Sequence, residues 1–183
     1  MAPASPPLQL KVTLLGVKPP IWRRLLVPGD TTLAKLHLIL QVAMGWEDYH
    51  LHAFRIGKLR YGPADYEDVM ADEIDEATVT IAETFAKARK GFYDYDFGDS
   101  WEHEIVLEKT TSTEPQQFAL CLAGKRACPP EDSGGTWGYA NLLEALGDPG
   151  HEEHEEYLEW AGEDFDPEAF ELAALNVHLQ QLG

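Results

Sequence analysis

Tyr93-Asp94-Tyr95-Asp96-Phe97-Gly98-Asp99-Ser100-Trp101-Glu102-His103-Glu104-Ile105 reads as a β-hairpin, and the rest of the chain is organised around it. Two aromatic-rich runs flank Gly98-Asp99, a pair suited to the positive φ angles of a tight hairpin turn. Successive strand side chains point to opposite faces, so Tyr93, Tyr95 and Phe97 share one face and Asp94 and Asp96 the other. On the return strand Trp101, His103, Ile105 and Leu107 oppose Glu102, Glu104 and Glu108. An aromatic face holding a histidine, beside a turn edged with carboxylates, suits either a core hairpin or a binding site.

Upstream, Leu8, Leu10, Val12 and Leu14 alternate with polar residues as a half-buried strand, and residues 21–27 return beside it. Asp30, Thr31 or Thr32 can cap a helix whose apolar face is Leu33, Leu36, His37, Leu40 and Met44, with Gly45 as its stop. Residues 50–56 predict a third strand with His52, Phe54 and Ile56 on one face, and residues 61–77 a polar loop. Thr80-Ile81-Ala82-Glu83 is a capping box opening a short helix towards Arg89. The order strand, strand, helix, strand, helix, strand, strand predicts an α+β fold. It has a mixed or antiparallel sheet, helices on one face and a β-grasp-like opening. Beyond the hairpin, 118–122 is a short apolar stretch and 128–139 a loop rich in Pro and Gly. Helices are predicted over 139–146 and 154–161 and from Asp166-Pro167 onward, the last presenting Phe170, Ala173, Ala174 and Val177 to the sheet. The expected organisation is a mobile proline-rich arm (1–7), a sheet domain (8–126), and a loop with an acidic helical extension packed on it (127–183).

The charge is uneven. From Ala127 onward there are 14 acidic residues and no Lys or Arg, whereas the preceding residues hold 18 acidic against 14 basic. Such a field repels phosphate backbones, which argues against nucleic acid as a partner; a basic protein, a cation or plain solubility are the alternatives. No apolar run approaches the roughly 20 residues of a membrane helix. Two cysteines without a secretory leader point to the cytoplasm.

Several blocks in order resemble the plasmid pRiA4b open-reading-frame-three family. They are Pro20-Ile21-Trp22-Arg23-Arg24, Leu36-His37, Met44-Gly45-Trp46 with His50-Leu51-His52-Ala53-Phe54, Tyr95 to His103, Pro129 to Gly135, Gly138-Tyr139 and Phe165-Asp166-Pro167-Glu168. The resemblance runs from about Leu8 to the end. It implies a mixed α+β fold and brings no catalytic residue with it. Labels in such families point to mobile elements, as transposon passengers or resolvase-like proteins, but this acidic chain lacks a basic DNA-binding segment. The family often has a cysteine where this chain has Ser133, so a zinc site shared with Cys121 and Cys128 would here lack a ligand.

Three chemistries follow from the residues. The first is a non-catalytic ligand- or protein-binding module between the Asp96–His103 hairpin and the 131–139 loop. There Trp101, Trp137 and Tyr139 supply flat contacts, and Asp96, Asp99, His103, Glu131 and Asp132 polar ones. Arg23 and Arg24 would seat an anion or pair with the acidic tail. The second is a metal-dependent hydrolase in which His37, His52, His103 and Asp96 converge on a divalent ion; the alternative is that each histidine is a satisfied core residue. The third is a nucleic-acid mimic, with the acidic tail occupying a basic protein. His151-Glu152-Glu153-His154 lacks the four-residue spacing of zinc-protease histidines and reads as a solvated helix start. Phosphate-loop, dinucleotide and nucleophile-elbow motifs are absent.

Overall fold

Alternation makes the first strand: in β1 (Leu8–Leu14), Leu10, Val12 and Leu14 are buried while Gln9, Lys11 and Thr13 are half-exposed. A computed structural model describes residues 5–64, 73–110 and 116–183 and sets β1 within an eight-stranded sheet. The other strands are β2 (Ile21–Val27), β3 (His52–Ile56), β4 (Leu59–Gly62), β5 (Glu73–Asp75), β6 (Lys90–Tyr95), β7 (Trp101–Glu108) and β8 (Leu120–Lys125). Their order across the sheet is β5-β4-β3-β6-β7-β1-β2-β8. Only β4 and β5 run parallel; every other neighbouring pair is antiparallel. The chain is thus an α+β protein with an open mixed sheet.

One sheet face is apolar and carries helices. Helix α1 (Leu33–Met44) starts at Thr32, whose hydroxyl accepts from the Lys35 amide, and ends where Gly45 turns left-handed at φ 90°. It contacts α5 (Leu172–Gln180), which also packs on β8. The core between them gathers Leu10, Val12, Ile21, Leu25, Leu36, Leu40, Phe54, Tyr93, Trp101 and Ile105, all buried. Each such side chain contributes about 1.5–3 kcal/mol by leaving water. The opposite face is a ladder of cross-strand ion pairs: Arg55 with Asp94 (2.7 Å) and Glu102, Arg24 with Glu108 (2.6 Å), and Lys90 with Glu104. Exposed pairs of this kind contribute about 0–1 kcal/mol each, so the ladder sets strand register and solubility more than stability.

Several sequence expectations are corrected. The hairpin turn is five residues long, Asp96 to Ser100, with the left-handed conformations at Asp96 (φ 55°) and Ser100 (φ 57°) rather than at Gly98-Asp99. Phe97 therefore leaves the Tyr93–Tyr95 face and is half-exposed. The expected 61–77 loop contains the end of β4 and all of β5, whose three-residue length gives no readable alternation; residues 65–72 lie outside the described ones. The apolar 118–122 stretch leads into edge strand β8, which begins at Leu120, and α2 is only Ile81–Phe85, although its capping box forms as expected. Helix α3 (Gly135–Gly147) begins earlier than 139 and α4 is His154–Ala161. In α5 the docked side chains are Leu175, Asn176 and Leu179, whereas Ala173, Ala174 and Val177 face solvent. Phe170 precedes the helix and lies over Gly124, where a side chain would collide with its ring at 2.6 Å. Of the expected arm, residues 1–4 lie outside the described ones, and Pro7 is buried, with the Pro6 carbonyl against Gly29.

Candidate functional site

Three loops meet at one end of the hairpin. The α1–β3 loop turns through Asp48 (φ 58°), the hairpin turn through Asp96, and the loop before α3 through Asp132 (φ 55°). Backbone and carboxylate bonds tie them together. The Asp96 amide donates to the Leu51 carbonyl (2.9 Å), and the Gly134 amide to Asp99 Oδ2 (2.9 Å). Gly135 lets that contact close, since a Cβ there would meet the Asp99 carbonyl at 2.6 Å, and its φ of 68° suits glycine. Asp96 Oδ1 accepts from the Gly98 and Asp99 amides, while Glu131 Oε1 accepts from the Tyr95 hydroxyl (2.9 Å) and the Glu47 amide (2.7 Å). Burial and the Glu131 carboxylate push the Tyr95 phenol well above its ordinary range, so it serves as a proton donor.

At Asp96 and Glu131 these bonds use one carboxylate oxygen and leave the other facing His50. His50 Nε2 lies 2.9 Å from Asp132 Oδ1, 3.6 Å from Asp96 Oδ2 and 3.9 Å from Glu131 Oε2. Despite these distances, neither His50 Nε2 nor Glu131 Oε2 makes a hydrogen bond, and both atoms are shut off from solvent. The ligand atoms of His50, Asp96 and Asp132 lie within 4.8 Å of one another. One imidazole nitrogen and carboxylate oxygens facing a common point are a donor set for a divalent ion, and Asp132, 70% exposed, leaves the point reachable from solvent. Among the described residues no Lys or Arg pairs with Asp96, Glu131 or Asp132.

A second cluster lies in the core. The His37 and His52 rings stack at 3.5 Å, nearly parallel. His37 bonds the Tyr93 hydroxyl (2.8 Å) through Nδ1 and Asp48 (2.8 Å) through Nε2, and His52 Nε2 bonds Glu76 at 3.0 Å. Gln41 completes it, donating to the Tyr93 hydroxyl and accepting from the Asp48 amide. Burial, then the neighbouring His52, lowers the His37 pKa, although Asp48 opposes the shift. His37, Asp48 and His52 have the spacing of a metal set, yet each ring already has a hydrogen-bonded carboxylate, the arrangement of satisfied core histidines.

The expected His37–His52–His103–Asp96 centre is thus divided. His37 and His52 meet, His103 lies across Tyr93 from them, and Asp96 belongs with His50. His103 is 0% exposed, its Nδ1 bonded to the Tyr93 carbonyl (3.2 Å), and burial lowers its pKa to about 4. Trp101 and Tyr139 are core residues, the Tyr139 phenol pushed up to about 12 by burial, whereas Trp137 is 84% exposed. Arg23 is no anion seat: its buried guanidinium donates to the carbonyls of Ala43, Trp22, Lys125 and Arg126 at 2.7–3.0 Å. Arg24 is on the other sheet face with Glu108. Asp96, Asp99, Glu131 and Asp132 do come together. Cys121 and Cys128 are free and buried, burial raising both thiol pKa values. Among the described residues neither belongs to a three-ligand cluster. Sequence reasoning missed His50, Asp48 and Glu76; the positions before the third strand, where side-chain alternation stops, were the available signal for His50.

The fold and this three-loop junction define a small α+β protein with a carboxylate–imidazole site at the tip of its central hairpin. The chain belongs to the plasmid pRiA4b ORF-3-like protein family, which it matches over residues 7–174. It is 42% identical to the uncharacterized protein y4hQ of Sinorhizobium fredii over 180 residues, 96% of this chain and 91% of that one. It is also similar to the crystal structure of the protein of unknown function MM3350 from Methanosarcina mazei Go1. The TM-score is 0.85 at 38% identity, covering 94% of this chain and 98% of that one. Among the described residues no helix is long and apolar enough to cross a membrane.

Proposed function

We propose that this protein is a ligand-binding module centred on one divalent metal ion, held by His50, Asp96 and Asp132 with Glu131 as a fourth donor. The observation that carries the reading is the approach of His50 Nε2 to three carboxylates from two other loops, the hairpin turn and the loop before α3. The Glu131 oxygen among them is buried and unpaired. Carboxylates crowded in this way repel one another, and a doubly charged ion offsets that repulsion while satisfying the unpaired atoms. Mixed imidazole and carboxylate donors suit zinc, manganese or ferrous iron. Tyr95 and the Glu47 amide orient Glu131, and the hairpin-turn amides orient Asp96, as outer partners do at metal centres. An exposed Asp132 leaves a coordination position for a ligand of the module.

Elemental mass spectrometry and calorimetry on chelator-stripped protein, reloaded with zinc, manganese or ferrous iron, test this. The expected result is one ion per chain, lost in His50→Ala and Asp132→Asn with the circular-dichroism spectrum unchanged. Absent binding, or full binding by His50→Ala, overturns it. Phosphoester or amide turnover by the loaded protein, abolished in the same variants, would replace the binding module with the metal-dependent hydrolase. Salt-sensitive capture of DNA-binding proteins, unaffected by metal, would replace it with the nucleic-acid mimic.

A further inference from the structure

A cavity of about 550 Å³ opens between α4 and the loop before α3, lined by Asp132, Ser133 and Gly134 on one side and Glu153, Glu156, Tyr157, Glu159 and Trp160 on the other. We infer that this cavity takes an organic cation, an alkylammonium or guanidinium head group such as a lysine or arginine side chain or a polyamine presents. It shares only Asp132 with the metal site and stands if that reading fails.

Charge is the first reason. Four carboxylates line the cavity, no Lys or Arg follows Arg126 in the chain, and among the described residues no Lys or Arg pairs with any of the four. An anion entering would meet uncompensated repulsion; a cation would be the missing counter-charge. Acidic residues at the start of α4 have an ordinary explanation in the helix dipole, which favours negative charge in the first turn. That explanation does not extend to the aromatic residues. Glu153, Glu156, Tyr157 and Trp160 recur at three- and four-residue spacing, so carboxylates and rings share one helical face. Trp160 is 48% exposed and lines the cavity, and carboxylates beside an aromatic ring are the elements of ammonium recognition.

Ser133 is the independent observation. It is only 9% exposed, it stands in the wall of this cavity, and its Oγ has no hydrogen-bond partner. A buried hydroxyl without a partner is rare in a folded chain, and since its Oγ is shut off from solvent, a turn of the side chain about χ1 towards the cavity would bring it to an N–H donor there. The wall is also rigid. Gly138 of α3 packs so tightly on the loop that a Cβ would sit 1.9 Å from the Ser133 carbonyl. The volume lies within the range of small-ligand pockets, roughly 300–1,000 Å³.

Calorimetry on the full, chelator-treated chain tests the inference without involving the metal site. The probes are spermidine, an arginine-containing pentapeptide, and the same peptide with citrulline, a neutral isostere, at about 0.15 M salt to screen diffuse attraction. Expected is saturable one-to-one binding of a charged probe, absent for citrulline. Binding should weaken about tenfold in Trp160→Ala and Glu156→Gln and less in Ser133→Ala. Trp160 is half exposed, so its variant is expected to fold, which thermal melting verifies. Binding of spermidine alone assigns the cation to a free polyamine, and binding of the peptide alone to a protein side chain; either supports the site. Equal binding by Trp160→Ala, binding of the citrulline peptide, or only non-saturable, salt-erased association overturns it.

Discussion

Acidifying the protein should expose the cost of burying His103. The ring is fully enclosed, with one nitrogen bonded to the Tyr93 carbonyl and Nε2 unpaired, and burial holds its pKa at about 4 against an ordinary 6.5. A lowered folded-state value means that the unfolded chain binds the proton more readily. The stabilising contribution is therefore complete above pH 6.5 and is lost as pH falls towards 4. The full gap converts to about 3 kcal/mol, and between about pH 7.5 and pH 5 the loss is about 2 kcal/mol. His103→Leu keeps the volume, removes the titration and forfeits one hydrogen bond worth about 1 kcal/mol. Urea unfolding followed by circular dichroism should find the wild type level with the variant or ahead by about 1 kcal/mol near pH 7.5. Near pH 5 the variant should lead by about 1–2 kcal/mol. Comparing the two proteins cancels the other titrating groups, including His37 and the many carboxylates. A stability difference that stays constant from neutral to acid pH would refute the reasoning.

Arg23→Met should cost about 3–5 kcal/mol in chemical denaturation, because four carbonyls from α1, β2 and the end of β8 lose their common donor inside the protein. A loss below about 1 kcal/mol would mean that solvent replaces the guanidinium. Gly138→Ala should displace the Ser133 carbonyl and lower thermal stability by about 2 kcal/mol or more, with loss of binding at both candidate sites. Unchanged melting and unchanged binding would contradict the close packing of that loop on α3.

Much of the sheet is legible in the sequence because alternation is a local signal. β1, β2, β3, β6 and β7 each declare a buried face through residues two apart, and the fold class follows from their order. β5 is too short to alternate, and β8 sits at an edge where only Cys121 of its residues is buried, so its pattern is weak. The α5 face failed for a related reason: its docking uses Asn176, which brackets the Cys121 backbone with two hydrogen bonds, and an apolar periodicity does not register an amide. The site was half legible. Turn chemistry pointed to Asp96, Asp99, Glu131 and Asp132, but which histidine joins them depends on β3 beginning at His52. That start sends His52 into the core and leaves His50 in the loop. His50 and His52 are two apart and would share a face by alternation, so only the point where the strand begins separates the site ring from the core ring, and no propensity fixes it.

The uneven charge acquires a structural meaning from how the acidic third is attached. Among the described residues, Arg126 with Glu168 (2.7 Å) is the Lys or Arg ion pair that joins it to the residues before it, and buried Tyr139, Leu142 and Leu179 supply its apolar hold. Arg23 adds cation–π contact with Phe170 while its own donors go to carbonyls. Arg24, Arg55 and Lys90 of the open sheet face are meanwhile matched with carboxylates of β6 and β7. Beyond Glu168, paired with Arg126, and Glu131, bonded to Tyr95 and the Glu47 amide, the tail's carboxylates are left without a Lys or Arg among the described residues. Some surround His50 and others line the α4 cavity, so both candidate sites draw on the same unmatched negative charge. A cation at either place relieves repulsion within the tail as well as making its own contacts. Binding there and stability of the acidic third are linked through that field.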